Sequence, residues 1–196
     1  MDIGGLHMGE RKAGAAGRIG RILGNPGVRY LGVFALVALA LFSILATPWA
    51  EAAFTLPFTQ GLVDVCAFLI RPFDARVLAE GDVLRFSDGR GAVQVLAGCN
   101  AVEVCALLAA AILAFPARFR DCLIGAAAGV VALQAVNLLR IISLLYLSRG
   151  SEPLFEFFHH YVWDAMIGLE GLLLFFFWTR WQERQAAGKA GPEAAA

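Results

Sequence analysis

Four side chains of this sequence are of types that can do acyl chemistry and stand where an apolar chain can use them: Cys99, Arg140, His159 and His160. Cys99 follows Gly98 and precedes Asn100 at the start of an apolar run. Cys66, Cys105 and Cys122 instead sit inside apolar runs, where a thiol behaves as a small hydrophobe. No two cysteines show the spacing of a redox CxxC or a zinc knuckle, so Cys99 alone is placed for chemistry. A cysteine attacks a carbonyl as its thiolate, and its ordinary pKa of about 8.5 falls beside a cation or a helix N-terminus. This setting offers both, with Arg140 as the cation. The permanent charge of Arg140 can equally hold the oxyanion of a tetrahedral intermediate in a partly dry site. A histidine within reach can take the thiol proton and return one to a leaving amine. His159 and His160 compete for that task, because neighbours on a helix point about 100° apart and only one can face the site squarely. His159 is slightly preferred.

Polar residues around this trio are candidates for holding a substrate. Gln134 and Asn137 precede Arg140 at three-residue steps and so share one stripe of a helix, turned toward other helices rather than lipid. Asn100 lies next to the cysteine. Glu103 and Glu170 read as structural partners, and Trp163 and Asp164 as interfacial groups.

The elements that must carry these residues are set by composition. The chain is 59% hydrophobic and 16% charged, with a mean hydropathy of +0.69, which points to a membrane. A formal net charge of zero gives no reason to expect nucleic acid or an acidic macromolecule as partner. The fold expected is an all-α integral membrane protein with about four transmembrane helices, an outer interfacial helix and a small outer β-hairpin.

Residues 1–29, with Arg11, Lys12, Arg18, Arg21 and Arg29, read as a basic cytoplasmic arm. Residues 30–180 form the transmembrane domain and 181–196 a cytoplasmic tail. The run from Tyr30 to Leu45 extends from Val28 to Trp49, roughly the 20 residues that a bilayer requires. Cleavage as a signal peptide is disfavoured, since Ala46-Thr47-Pro48-Trp49-Ala50 is a poor small-residue site. The run Ala101 to Phe115 ends at Arg118 and Arg120, a basic end that the positive-inside rule keeps in the cytoplasm. Cys122 to Leu147 then returns outward, and Val162 to Trp178 descends again toward Arg180, Arg184 and Lys189.

Residues 52–70, interrupted by Pro57, Gln60, Gly61 and Asp64, are expected to lie on the outer surface, because a crossing there would reverse every later helix. Val83–Phe86 and Ala92–Leu96 flank an Asp-Gly turn and read as a hairpin. Arg140 comes about 19 residues after the inner end near Asp121. At 1.5 Å per residue that is about 29 Å, close to the full hydrocarbon thickness. Cys99 opens its helix from the outer side and the two histidines precede theirs there, so three separate counts converge on one depth.

The order Gly98-Cys99-Asn100-Ala101-Val102-Glu103, then Asn137-Leu138-Leu139-Arg140-Ile141, then Phe158-His159-His160-Tyr161-Val162-Trp163 resembles the exosortase and archaeosortase family, and is most similar to its short exosortase H type. The resemblance covers roughly residues 52–178, with the Asn-x-x-Arg-Ile piece its most specific part. It implies a membrane cysteine protease or transpeptidase in which Cys99, Arg140 and His159 or His160 form the active site. Its substrates would be exported proteins with a C-terminal signal of short motif, transmembrane helix and basic tail, cleaved through a thioester and passed to an amine acceptor or to water. A multi-pass protein of the inner membrane with a periplasmic active site follows from the same resemblance. Many members have Ser-Gly after the cysteine, where this chain has Asn100-Ala101, so a turn that requires positive φ would differ here.

No metal or organic cofactor is expected. A thiol oxidoreductase would need two cysteines able to meet, and Cys99 and Cys105 on one helix point apart. The non-enzymatic alternative is a membrane assembly or transport subunit that binds a lipid headgroup or polysaccharide; it predicts tolerance of Cys99→Ser.

Overall fold

The computed structural model describes residues 24–189, so the arm up to residue 23 and the tail from residue 190 lie outside the described residues. Helix α1 (Pro26–Leu45) starts inside the expected arm, because Asn25 accepts from Gly27 N–H (2.9 Å) as N-cap and Pro26 fits the first helical position. Helix α2 (Pro48–Ile70) follows, with a π turn at Glu51–Thr55. Strands β1 (Val77–Glu80), β2 (Val83–Phe86) and β3 (Ala92–Gln94) form an antiparallel sheet in that order. Helices α3 (Val102–Ala114), α4 (Phe119–Leu147) and α5 (Glu152–Gly188) complete the chain, α5 with a π turn at Phe158–Val162. The result is an all-α membrane protein with a small sheet.

Helices α1, α2, α4 and α5 are long and apolar enough to cross a membrane. Two of the expected assignments change on this measure. With 13 residues α3 is about 20 Å long, short of a hydrocarbon core of about 30 Å. Conversely, α2 reaches spanning length. Its packing nevertheless keeps both its ends at one end of the bundle. Glu51 and Thr55 in its first turns line a cavity of about 310 Å³ with Asp82, Asn100 and Glu103. Cys66, Ala67 and Ile70 near its other end join one core with Val77, Leu84 and Phe86 of the sheet and Ile141, Leu144 and Leu145 of α4. Thus α2 packs against the sheet, the Cys99 turn and the later part of α4.

The opposite end is tied by aromatic rings. Tyr30 Oη donates to Ala111 C=O (3.3 Å), and its ring lies 6.4 Å from Phe115 and 6.5 Å from Phe175. Phe115 also meets Trp178 edge-on at 5.3 Å. The start of α1, the end of α3 and the later half of α5 therefore gather beside Arg29, Arg118 and Arg180. Between the two ends, Leu108 and Ile112 of α3 pack with Ala126 and Leu133 of α4. Gly129 permits the approach, for a Cβ there would lie 2.7 Å from Leu108 Cδ2.

The sheet exceeds the expected hairpin by one strand. β1 pairs with β2 through the two-residue turn Gly81-Asp82, in the register Glu80↔Val83, and Arg85 pairs with Glu80 across it. β3 stops at Gln94 rather than Leu96, because the Leu96 carbonyl instead accepts from Cys99 N–H (2.9 Å) to close the next turn. The cap is held to α4 by Arg149, which donates to Asp88 (3.0 Å) and stacks 4.3 Å over the Phe86 ring.

Candidate active site

Cys99 sits on the turn that leads from β3 into α3. Asn100, fully buried, fixes that turn from both sides: its Nδ2 donates to Thr59 Oγ1 of α2 (3.1 Å), and its Oδ1 accepts from Val102 N–H (3.1 Å). Gly98 N–H is directed at the Glu103 carboxylate, 3.3 Å from either oxygen. Ala101 has φ 57°, the one positive value at a non-glycine residue among the described residues. The turn therefore keeps the left-handed geometry that glycine would supply, and the departure from Ser-Gly appears as backbone strain rather than as a different path.

Helix α4 brings Arg140 to this turn. Its side chain is 3% exposed, and Nη2 lies 3.8 Å from Cys99 Sγ and 2.9 Å from Asp164 Oδ1. From α5, His159 Nε2 lies 3.2 Å from Cys99 Sγ. His160 turns away to pair with Glu156 (3.0 Å) and is more than half exposed. The structure thus joins Cys99, Arg140 and His159, and leaves His160 outside the cluster.

The π turn explains how α5 delivers two groups at once. Trp163 N–H bonds to Phe158 C=O, and in such a wide turn residues five apart come to the same side. His159 faces the sulfur while Asp164 reaches the guanidinium. Asp164, read from the sequence as interfacial, is the partner of Arg140, and Glu103 is not. On an ordinary α-helix the five-residue offset of Asp164 from His159 would rotate it away, so the sequence held no signal for this role.

Gln134 and Asn137 act on the protein itself. Asn137 Nδ2 donates to Gln134 Oε1 (3.3 Å), and Gln134 Nε2 donates to the Asn100 carbonyl (3.0 Å), so the polar stripe of α4 grips the cysteine turn. Two buried atoms of that stripe keep unused capacity: the acceptor Asn137 Oδ1 and the donor Arg140 Nε.

Burial pushes the Cys99 thiol up from its ordinary value; the nearby Arg140 charge opposes this only in part, and Asp164 adds to the rise. The expected lowering by Arg140 is outweighed because the sulfur is partly desolvated and the Asp164 carboxylate lies against the same guanidinium. His159, in the turns before the spanning stretch, is drawn below its ordinary value by burial first and then by His160 and Arg140. At neutral pH the pair is a thiol beside a neutral imidazole, a nucleophile with its base in hydrogen-bond reach.

The sequence model of the family described as Transmembrane exosortase (Exosortase_EpsH) matches residues 11–177. That span includes most of the basic arm, which the motif resemblance left outside. No curated protein matches the chain, and no solved structure does. The match covers more than half of the sequence and contains Cys99, Arg140, His159 and His160 along with the apolar helices that carry them. This multi-pass membrane protein belongs to the transmembrane exosortase family, a family of membrane-embedded enzymes of sorting-signal processing.

Proposed function

We propose that the chain is a cysteine transpeptidase that cleaves the C-terminal sorting region of exported proteins and transfers the mature part to an amine acceptor. The observation that carries the reading is the 3.2 Å approach of His159 Nε2 to Cys99 Sγ with the Arg140 guanidinium 3.8 Å away on the other helix. His159 takes the thiol proton as sulfur attacks the carbonyl carbon of the scissile bond. The oxyanion that forms is stabilised by Arg140, whose buried Nε has bonding capacity to offer. Collapse breaks the C–N bond, and His159 returns its proton to the leaving amine, which departs with the transmembrane helix and basic tail. The thioester left on Cys99 is then attacked by an acceptor amine; His159 removes that amine's proton and restores it to the thiol. Water is the competing nucleophile. Asp164 holds Arg140 in place, and Asn100, Gln134 and Asn137 hold the turn.

The site belongs to the end of the bundle that carries the cap and lies opposite the basic end, which supports a periplasmic active site in an inner membrane. The test is an in-cell processing assay with a substrate bearing a motif, helix and basic tail, co-expressed with single variants. Cys99→Ala, Cys99→Ser, Arg140→Ala and His159→Ala are expected to leave the substrate at full size, whereas His160→Ala processes it. Normal processing by an inserted Cys99→Ser protein would contradict the reading.

A further inference from the structure

Glu156, His159 and His160 form a second cluster of donors beside the acyl-transfer site. Their i, i+3, i+4 spacing sets three side chains on one face of a helix. One ligand atom from each lies within 4.8 Å of the others, and His160 Nε2 is 3.0 Å from Glu156 Oε2. With side chains 53% and 57% exposed, Glu156 and His160 are reachable by an ion from water. Tetrahedral zinc, with ligand bonds of about 2.0–2.1 Å, places its donors roughly 3.3 Å apart. The Glu156–His160 pair is near that separation, and a side-chain rotation brings His159 to it. Two imidazoles with one carboxylate suit zinc, whereas magnesium and calcium prefer oxygen alone.

We propose that Glu156, His159 and His160 bind a zinc ion, with the fourth position left to water, and that the bound ion switches the enzyme off through His159. The inhibitory half rests on the reading of His159 as general base; the site itself does not. A neutral imidazole has one free lone pair. Zinc on Nε2 occupies the atom that faces Cys99, and zinc on Nδ1 leaves Nε2 as an N–H, so either mode removes the base that accepts the thiol proton. Zinc also bears on the doubled histidine: His160, outside the catalytic cluster, gains a task as ligand.

The full chain, purified in detergent and stripped with a chelator, is titrated with zinc against a chromophoric competitor, and with cobalt(II) to read the visible band of a tetrahedral site. One equivalent is expected to bind. Glu156→Gln and His160→Ala are each expected to weaken binding by on the order of 10-fold or more. Zinc is expected to halt processing by the wild type and chelator to restore it, while Glu156→Gln processes normally without metal and resists the same zinc concentration. Absence of stoichiometric binding, or binding unchanged in both variants, overturns the site. Zinc bound through these residues with processing unaltered overturns the inhibitory half. Metal-free processing that does not need His159 counts against the acyl-transfer reading instead.

Discussion

Ala101 holds a left-handed backbone that costs an L-residue about 1 kcal/mol or more, at the very turn that presents the nucleophile. Ala101→Gly should relieve most of it, offset in part by the greater freedom of glycine in the unfolded chain. The expected outcome is a gain of roughly 0.5 kcal/mol, seen as a small rise in the thermal midpoint in detergent, with processing retained. Asp164→Ala should leave Arg140 free to turn from the sulfur. Because Asp164 is 54% exposed, the stability loss should stay at or below about 1 kcal/mol, while single-turnover processing falls by on the order of 10-fold. The two shifts at the site also set its pH response. His159, drawn below its ordinary value, is the unprotonated base at neutral pH, so processing should be flat there and decline as pH falls through the acid side of about 6.5. The raised thiol gives no second decline on the alkaline side up to the ordinary cysteine range. A rate that rose on acidification would mean a pre-formed thiolate–imidazolium pair. Cys99, Arg140 and the histidine pair stood out as candidates in the sequence because an ionisable group in an apolar chain is costly and therefore rare, and the structure brings Cys99, Arg140 and His159 together. Asp164 did not stand out, since its role depends on a π turn that has no residue signature.

At the scale of elements, the cap depends on the seat of the β2–β3 loop against the end of α4. Gly91 has φ +103°, and a Cβ there would meet Ser148 Oγ at 2.7 Å and Arg149 Cγ at 2.8 Å. Gly91→Ala is expected to destabilise by about 1–3 kcal/mol, with the loss read as a lower unfolding midpoint and protease cleavage within residues 77–94. An unchanged midpoint would mean that the loop has room to shift. The same region shows where sequence reading ended. The Asp-Gly turn disclosed β2 and β3 but not Val77–Glu80, although Gly81-Asp82 between two largely apolar quartets is a turn signal of equal kind. Apolar length also misjudged α3. Its run continues through Phe115, yet the helix begins only after the strained turn and ends before Pro116, so 13 residues remain.

In the whole molecule the short α3 sets the depth of the site. Gln134 and Asn137 reach the cysteine turn, and α4 continues for about three more turns to Leu147 beneath the cap. Cys99 therefore lies below the rim formed by the sheet and α2. The depth counted along α4 from its basic end needs only charge and helical rise, not tertiary knowledge. The sequence speaks to the course of α2 only through the reversal argument; in the structure its apolar face packs with Ile141 and Leu145 at one end of the bundle. Reporter fusions should place residue 89 outside and residue 188 inside; the reverse, residue 89 inside and residue 188 outside, would show that α2 crosses. The central claim is that Cys99 carries the acyl group, and the most direct measurement is intact mass spectrometry of the purified protein mixed with a sorting-signal substrate without added amine. A hydroxylamine-sensitive adduct on Cys99, equal in mass to the segment before the cut and missing in Cys99→Ser, is the result predicted. Substrate cleaved with Cys99 unmodified at every time of quenching, and cleaved equally by Cys99→Ser, would contradict it.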